Sequence, residues 1–297
     1  MPRFIAYKPT QYNSNNPDTS SVGHIFHNFL TGFILSKLSN YELLYEPISN
    51  DSVRFESFLN FNSLFKTPDV SQLKQYRLPV EFCSPTTGYA ELSDQQHLDY
   101  LNKILDELSP LDDNCLVVIG RDRFPGKLTE HYNLVKSDLQ KAYWSKTRNY
   151  PERYDRDMVN VAIHIRRGDI SKQRNLDRWL ENDHYVDIIN NIRKNVPNVL
   201  FHVFSQGEEK DFKEFHNEKV IFHLNGSDTN ALNDMCFSDI LVTGQSTFSI
   251  LASYLNKNIT IYTPLKDFMY NWRDDKVYNY KNINFDKINK FLCHREI

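Results

Sequence analysis

The stretch Val159-Asn160-Val161-Ala162-Ile163-His164-Ile165-Arg166-Arg167-Gly168-Asp169 decides how this chain reads. Five of its first seven residues are apolar and four of those are β-branched, the signature of a short buried strand. The strand then runs into two cations, a glycine and an acid. A guanidinium keeps its charge and offers fixed, bidentate donors, so two adjacent arginines at a strand's carboxyl end suit a diphosphate. Gly168 lets the backbone turn tightly and approach a ligand. The bland alternative for the same residues is a solvated Arg–Asp pair in a loop. Arg-Gly-Asp also spells an adhesion tripeptide, but its place straight after a buried strand and the lack of a secretion signal argue against that use.

Working outward toward the C-terminus, the pattern predicts strands at Val199–Phe204, Val220–His223, Asp239–Thr243 and Ile259–Tyr262. Helices are predicted at Asp183–Lys194, Glu208–His216, Thr229–Phe237, Thr247–Leu255 and Asn284–Cys293. Strands alternating with helices imply a parallel sheet covered on both faces. Ligands of such sheets bind outside the carboxyl ends of the strands. Two further loops therefore qualify. Ser205-Gln206-Gly207-Glu208 follows one strand, and Gly244-Gln245-Ser246-Thr247-Phe248-Ser249 follows another, each opening a helix. Helix N-termini offer N–H groups to phosphate or ribose, although the same residues also read as ordinary caps. Asp228, just ahead of Thr229–Phe237, joins the candidate ligand-binding set.

The N-terminal half is less regular. Phe4–Tyr7 reads as a strand, Gln11–Ser21 as a polar loop, Ile25–Leu38 as a helix and Tyr41–Tyr45 as a strand. The region 51–93 reads as irregular. His97–Leu108 is an amphipathic helix, Cys115–Gly120 a strand, and Glu130–Trp144 a helix. Proline and clustered charge at Tyr150–Asp157 place the boundary between two domains, residues 1–150 and 151–297.

Composition excludes several classes. The 297 residues carry a net charge of -3, without the basic excess of a general nucleic-acid binder. Four scattered cysteines, Cys83, Cys115, Cys236 and Cys293, form no CxxC pair, so no zinc site or disulfide framework is expected. The sequons at Asn225 and Asn258 read as chance. No run approaches the roughly 20 apolar residues of a membrane span. The N-terminus lacks an apolar leader, which gives a cytoplasmic expectation. There is no G-x-x-x-x-G-K-[ST] loop and no G-x-G-x-x-G, which disfavours a phosphotransferase or sulfotransferase. Asp155-Arg156-Asp157 spells a metal-binding Asp-x-Asp, yet it precedes its strand instead of following it, so no metal site is assigned.

The run ending in His164-Ile165-Arg166-Arg167-Gly168-Asp169 resembles the H-x-R-R-G-D motif of α1,2-, α1,6- and protein O-fucosyltransferase-type enzymes. The Ser205 loop is similar to the second motif of that superfamily. Asp234-Met235-Cys236 through Ser246-Thr247-Phe248-Ser249 to Tyr254-Leu255 is similar to the third. The resemblance spans roughly Val159–Pro264. It is looser at Gly23-His24-Ile25-Phe26-His27-Asn28, which has fewer glycines than the family's first loop.

This resemblance implies an α/β, GT-B-like fold with two Rossmann-like domains and mostly parallel sheets. The donor nucleotide would sit on the C-terminal domain and the acceptor on the N-terminal one. It implies an inverting, metal-independent glycosyltransferase with no cofactor beyond its nucleotide-sugar donor. The first choice of donor is GDP-fucose and the acceptor is a glycan hydroxyl. A UDP-sugar such as UDP-xylose, or a non-catalytic relative that only binds glycan or nucleotide, are the alternatives. Arg166 or Arg167 would neutralise the leaving diphosphate, with His164, Gly168, Asp169, Ser205, Gln206, Asp228 and Ser246–Ser249 binding the donor. Candidates for a base are His24, Glu56, Asp169 and His164, of which His24 and Glu56 lie on the acceptor side.

Overall fold

The computed structural model describes residues 3–7, 22–45, 52–66, 68–77, 94–111, 114–119, 129–174, 176–215, 219–263 and 275–294. The expected loop Gln11–Ser21 and all of 78–93, with Cys83, lie outside them. Two compact units result: Met1–Lys146 with Lys266–Trp272, and Thr147–Leu265 with Arg273–Ile297.

In the first unit, four parallel strands, β1 (Arg3–Tyr7), β2 (Glu42–Leu44), β3 (Lys74–Arg77) and β4 (Cys115–Ile119), lie in the order β2-β1-β4-β3. Four helices accompany them: α1 (Val22–Leu38), α2 (Ser52–Leu59), α3 (Asp94–Leu108) and α4 (Thr129–Trp144). Helix α1 packs against α4 and β1 and buries Phe26, Phe29, Leu30, Phe33, Ile34 and Leu35. Phe29 stacks on Phe61 at 5.7 Å between centroids, and Phe33 meets Phe65 edge-on at 4.9 Å. Such ring pairs add to their area burial.

The expectation that residues 51–93 are irregular is corrected. They contain α2, a 3-10 turn at Phe61–Leu64 and strand β3. Strand β3 escaped notice because Lys-Gln-Tyr-Arg carries no alternation of apolar residues. It is a sheet edge, where charge is the usual protection against stray pairing.

Among the described residues, the second unit has six parallel strands: β5 (Val159–His164), β6 (Val199–Ser205), β7 (Val220–Leu224), β8 (Ile240–Thr243), β9 (Ile259–Tyr262) and β10 (Val277–Asn279). Their order is β10-β9-β8-β5-β6-β7. The chain builds outward from β5 to β7, then returns to β5's other side and builds to β10. This is the doubly wound order, whose reversal point lies between β5 and β8. Four helices serve this sheet: α5 (Asn182–Asn195), α6 (Asp228–Phe237), α7 (Thr247–Leu255) and α8 (Phe285–Leu292).

Strand alternation divides the sheet's two faces. Val159, Val161, Ile163, Ile165, Val203, Ile240, Val242, Ile259 and Ile261 join α5 and α8 in one apolar core. The alternate residues of β5 and β6, Asn160, Ala162, His164, His202 and Phe204, share the opposite face. Glu208–His216 is corrected from a helix to 3-10 turns over Glu209–Phe215, kinked at Phe212 (φ -123°, ψ 32°). The tighter winding lines up residues three apart, and here it buries both Phe212 and Phe215. Strand β10 and the short turn Leu176–Arg178 were not anticipated.

Candidate functional site at the carboxyl ends of β5, β6 and β8

Strand β5 sits between β6 and β8, so the loops that follow these three strands leave the sheet side by side. Backbone and side chains tie them together. Ile165 N–H donates to the Phe204 carbonyl at 2.9 Å, and the Ser205 hydroxyl donates back to the Ile165 carbonyl at 2.8 Å. Gly244 passes so close to β5 that a Cβ there would lie 2.5 Å from the His164 carbonyl oxygen. At Gly168 (φ +84°) a Cβ would lie 2.0 Å from Gln206 Oε1. Gly244 is therefore required by its close approach to backbone, and Gly168 by its left-handed conformation, since Gln206 is flexible enough to move aside.

The two arginines part ways. Arg166 continues His164's side of the strand. Its guanidinium forms a two-pronged pair with Asp169, Nε to Oδ1 at 3.3 Å and Nη2 to Oδ2 at 2.7 Å. That donation holds the Asp169 carboxyl below the usual carboxylate range. Asp169 is thus a poor proton acceptor and a good orienter. Arg167 points to the α5 side and is buried. It donates to Asn182 Oδ1 at 2.7 Å, to the Leu180 carbonyl at 2.9 Å and to the Arg166 carbonyl at 2.9 Å. Its guanidinium lies 3.8 Å over the Trp179 ring. Burial pulls its pKa down from the normal value.

His164 ends β5 with its Nδ1 buried and without a hydrogen-bond partner. Burial first, and Arg166 second, push its pKa down to about 3. It is held neutral at physiological pH. Its ring faces Phe248 at 5.8 Å.

In the loop after β8, Ser246 caps α7 by accepting from Phe248 N–H at 3.3 Å. Ser249 is fully buried and donates to the Ser246 carbonyl at 3.0 Å and to the Gly244 carbonyl at 3.3 Å. These two hydroxyls build the turn, while Thr247 and Phe248 are half-exposed at its tip. In the loop after β6, Gln206 is exposed, and Gly207 (φ +119°) is clamped by the Asn225 amide, which accepts from Gly207 N–H at 3.0 Å and donates to its carbonyl at 2.8 Å. Asn225 is thus held by its loop. Asp228 opens α6, which follows the edge strand β7 in the chain, and is exposed.

The candidates outside this unit stand by themselves. Glu56 lies half-buried in α2 and accepts a short hydrogen bond from Tyr45, whose phenol pKa is raised by burial and by that carboxylate. His24 falls in α1, and its side chain lies outside the described residues. Among the described residues no cluster of three or more His, Cys, Asp or Glu could hold a metal ion, and no helix is long and apolar enough to cross a membrane. Sequence reasoning missed Asn182, Trp179, Glu214 and Asn225 as builders of these loops. None carries a local signal, since each acts on a partner at least 11 residues away or across a strand.

The family model described as Glycosyl transferase family 11 matches residues 130–288, just over half of the chain. No curated protein matches significantly. Among solved structures, POFUT1 in complex with GDP-fucose aligns at 13% identity, covering 89% of this chain and 98% of that one, with a TM-score of 0.42. The E. coli heptosyltransferase WaaC with ADP-2-deoxy-2-fluoro heptose aligns at 10% identity, covering 98% of each chain, with a TM-score of 0.40.

Proposed function

The chain belongs to glycosyl transferase family 11 and is a glycosyltransferase, and from that premise we propose that it transfers fucose from GDP-fucose to a glycan hydroxyl, with inversion and without a metal. One observation carries the reading. Arg166, held by Asp169, stands at the carboxyl end of β5, at the point where the sheet order reverses and where α7 begins from the neighbouring strand. A fixed guanidinium and a helix N-terminus together supply the positive field that a leaving diphosphate requires.

In the transfer, the acceptor oxygen bonds to the anomeric carbon from the face opposite the diphosphate. The carbon–oxygen bond to phosphate breaks, and its electron pair moves onto the leaving phosphate. Arg166 offsets that charge, and Asp169 keeps the guanidinium in place. His164, neutral, lines the crevice without competing as a cation. Asp169 is engaged by Arg166, and burial lowers the basicity of His164, so we assign the acceptor's proton first to the other pair of candidates. Glu56 and His24 are the two remaining candidates.

Thermal stabilisation by GDP, UDP, CMP and ADP, each with and without EDTA, tests this reading. A shift with GDP that Arg166→Ala removes is expected. A shift with UDP alone would replace fucose by a UDP-sugar such as UDP-xylose. A shift that EDTA abolishes would overturn the metal-free mechanism.

A further inference from the structure

The buried network behind the arginine loop reaches further than Arg167. Asn182, the first residue of α5, is itself buried and uses both ends of its amide. Its Oδ1 accepts from Arg167 Nη2 at 2.7 Å. Its Nδ2 donates to the Asp211 carbonyl at 2.8 Å and to Glu214 Oε2 at 2.8 Å. Asp211 in turn accepts the Glu208 N–H on its carboxylate at 2.8 Å, and that same carboxylate stands 2.8 Å from where a Cβ of Gly207 would be. One side chain therefore joins the loop after β5 to the loop after β6 from beneath.

We propose that Asn182 is a positioning residue for the donor site: through Arg167 on one side and the Asp211–Glu214 segment on the other, it sets the spacing between the Arg166–Asp169 loop and the Gln206–Gly207 loop. The inference rests on the donor-site reading above. The chemistry requires an amide here. Arg167 can only donate, and the Asp211 carbonyl and the Glu214 carboxylate can only accept, so the residue between them must accept on one side and donate on the other. Asn does both at once. Asp would keep the bond to Arg167 but would lose both donations and set its carboxylate against Glu214. Leu would fill the space and leave the buried Arg167 donor and the Asp211 acceptor unmatched.

The test uses the whole chain and GDP, with UDP in parallel, as probes in titration calorimetry at a temperature where every variant is folded by circular dichroism. Asn182→Asp is expected to weaken nucleotide binding about tenfold, the scale of coupling between residues in one hydrogen-bonded network. The double change Asn182→Asp with Glu214→Gln reverses the polarity of that hydrogen bond, since the new amide donates to the new carboxylate, and it should recover part of the affinity, the Asp211 carbonyl staying without its donor. Glu214→Gln alone removes an acceptor charge and should weaken binding less than Asn182→Asp. A general structural defect would lower the melting temperature while leaving the affinity of the folded protein unchanged.

Wild-type affinity in Asn182→Asp, with Arg166→Ala binding lost, would overturn the positioning role while leaving the donor-site reading intact. Failure of the double change to recover affinity would overturn the role of the Glu214 link. Absence of binding by the wild type, or binding untouched by Arg166→Ala, would overturn the donor-site reading and this inference with it.

Discussion

Gly244 runs against His164 so closely that a Cβ on it would meet the His164 carbonyl oxygen at 2.5 Å and His164 Nδ1 at 3.2 Å. Because the nearer atom is strand backbone, nothing flexible is available to move aside. Gly244→Ala should therefore force the loop after β8 away from β5 and destabilise the chain by about 1–3 kcal/mol. Chemical denaturation reads the stability, and the nucleotide-induced thermal shift should fall in the same variant. An alanine variant as stable as the parent would show that the two loops can separate without cost.

The two arginines of the loop should fail differently. Arg166→Ala removes the guanidinium that pairs with exposed Asp169, and it should lower nucleotide affinity by about 1.5–3 kcal/mol, the range of a hydrogen bond to a charged group, with a small change in stability. Arg167→Ala empties a buried position lined by Trp179, Asn182 and the Leu180 carbonyl, and should lower the melting temperature as well. Differential scanning fluorimetry with and without GDP separates the outcomes. Equal loss of stability in both variants would contradict the division of labour.

At Gly168 two effects can be separated. The left-handed backbone (φ +84°) penalises any Cβ by roughly 1–2 kcal/mol. The contact with Gln206 Oε1 involves the end of a flexible side chain. Gly168→Ala should be only partly relieved by adding Gln206→Ala, because the second change removes the contact and leaves the backbone term. Full recovery in the double variant would show that the backbone had shifted out of the left-handed region.

An imidazole pair formed by buried His202 on β6 and half-buried His223 on the neighbouring β7 should make stability acid-sensitive. His202 Nδ1 lies 3.1 Å from His223 Nε2, and His202 Nε2 lies 3.3 Å from Asn160 Oδ1. Burial lowers the two pKa values to about 3 and about 4, helped in His202 by His223 and then Arg153, and in His223 by Arg153. The unfolded chain takes up these protons near pH 6.5 and the folded chain does not. The stabilisation is therefore complete above about 6.5 and is lost as pH falls toward 4, with each such proton adding a slope of about 1.4 kcal/mol per pH unit. Asp234, raised by burial to about 6, works in the opposite sense and favours the folded state as pH falls below 6. Urea unfolding at pH 7.5, 6 and 5 should show a smaller drop for His223→Gln than for the parent. An unchanged drop would assign the acid sensitivity elsewhere.

Asn256 provides a contrast away from the loops. Its buried Nδ2 donates to the Met235 carbonyl at 3.0 Å, the Ser238 carbonyl at 2.9 Å and Ser238 Oγ at 3.2 Å. Asn256→Ala should cost about 1–3 kcal/mol by leaving buried carbonyls unmatched. Nucleotide affinity at a temperature where the variant is folded should stay at the parent's value, and a fall would show that α6 and α7 transmit strain to the site.

Much of the second unit was legible because its signals are local. Val159–His164 announces a strand through its own side chains, and Ser246 announces a helix start through capping. Lys74–Arg77 was not legible, since an edge strand is made by its register with Cys115–Val118 and not by its own pattern. The turns at Glu209–Phe215 misled for a similar reason: Phe212 and Phe215 fit a helix on paper, and the core that receives them selects the tighter winding.

The chain's sequence by itself determined that a buried strand ends in His164-Ile165-Arg166-Arg167-Gly168-Asp169 and that strands and helices alternate after it, because hydrophobic periodicity and charge are properties of neighbouring residues. Only the tertiary structure decided that β8 would lie beside β5 and make Gly244 the neighbour of His164, 80 positions away in sequence, because strand pairing is a contest among distant segments. It also decided the fates of two adjacent arginines. A strand sends successive side chains to opposite faces, and what waits on each face, Asp169 for Arg166 and Trp179 with Asn182 for Arg167, is assembled by the fold.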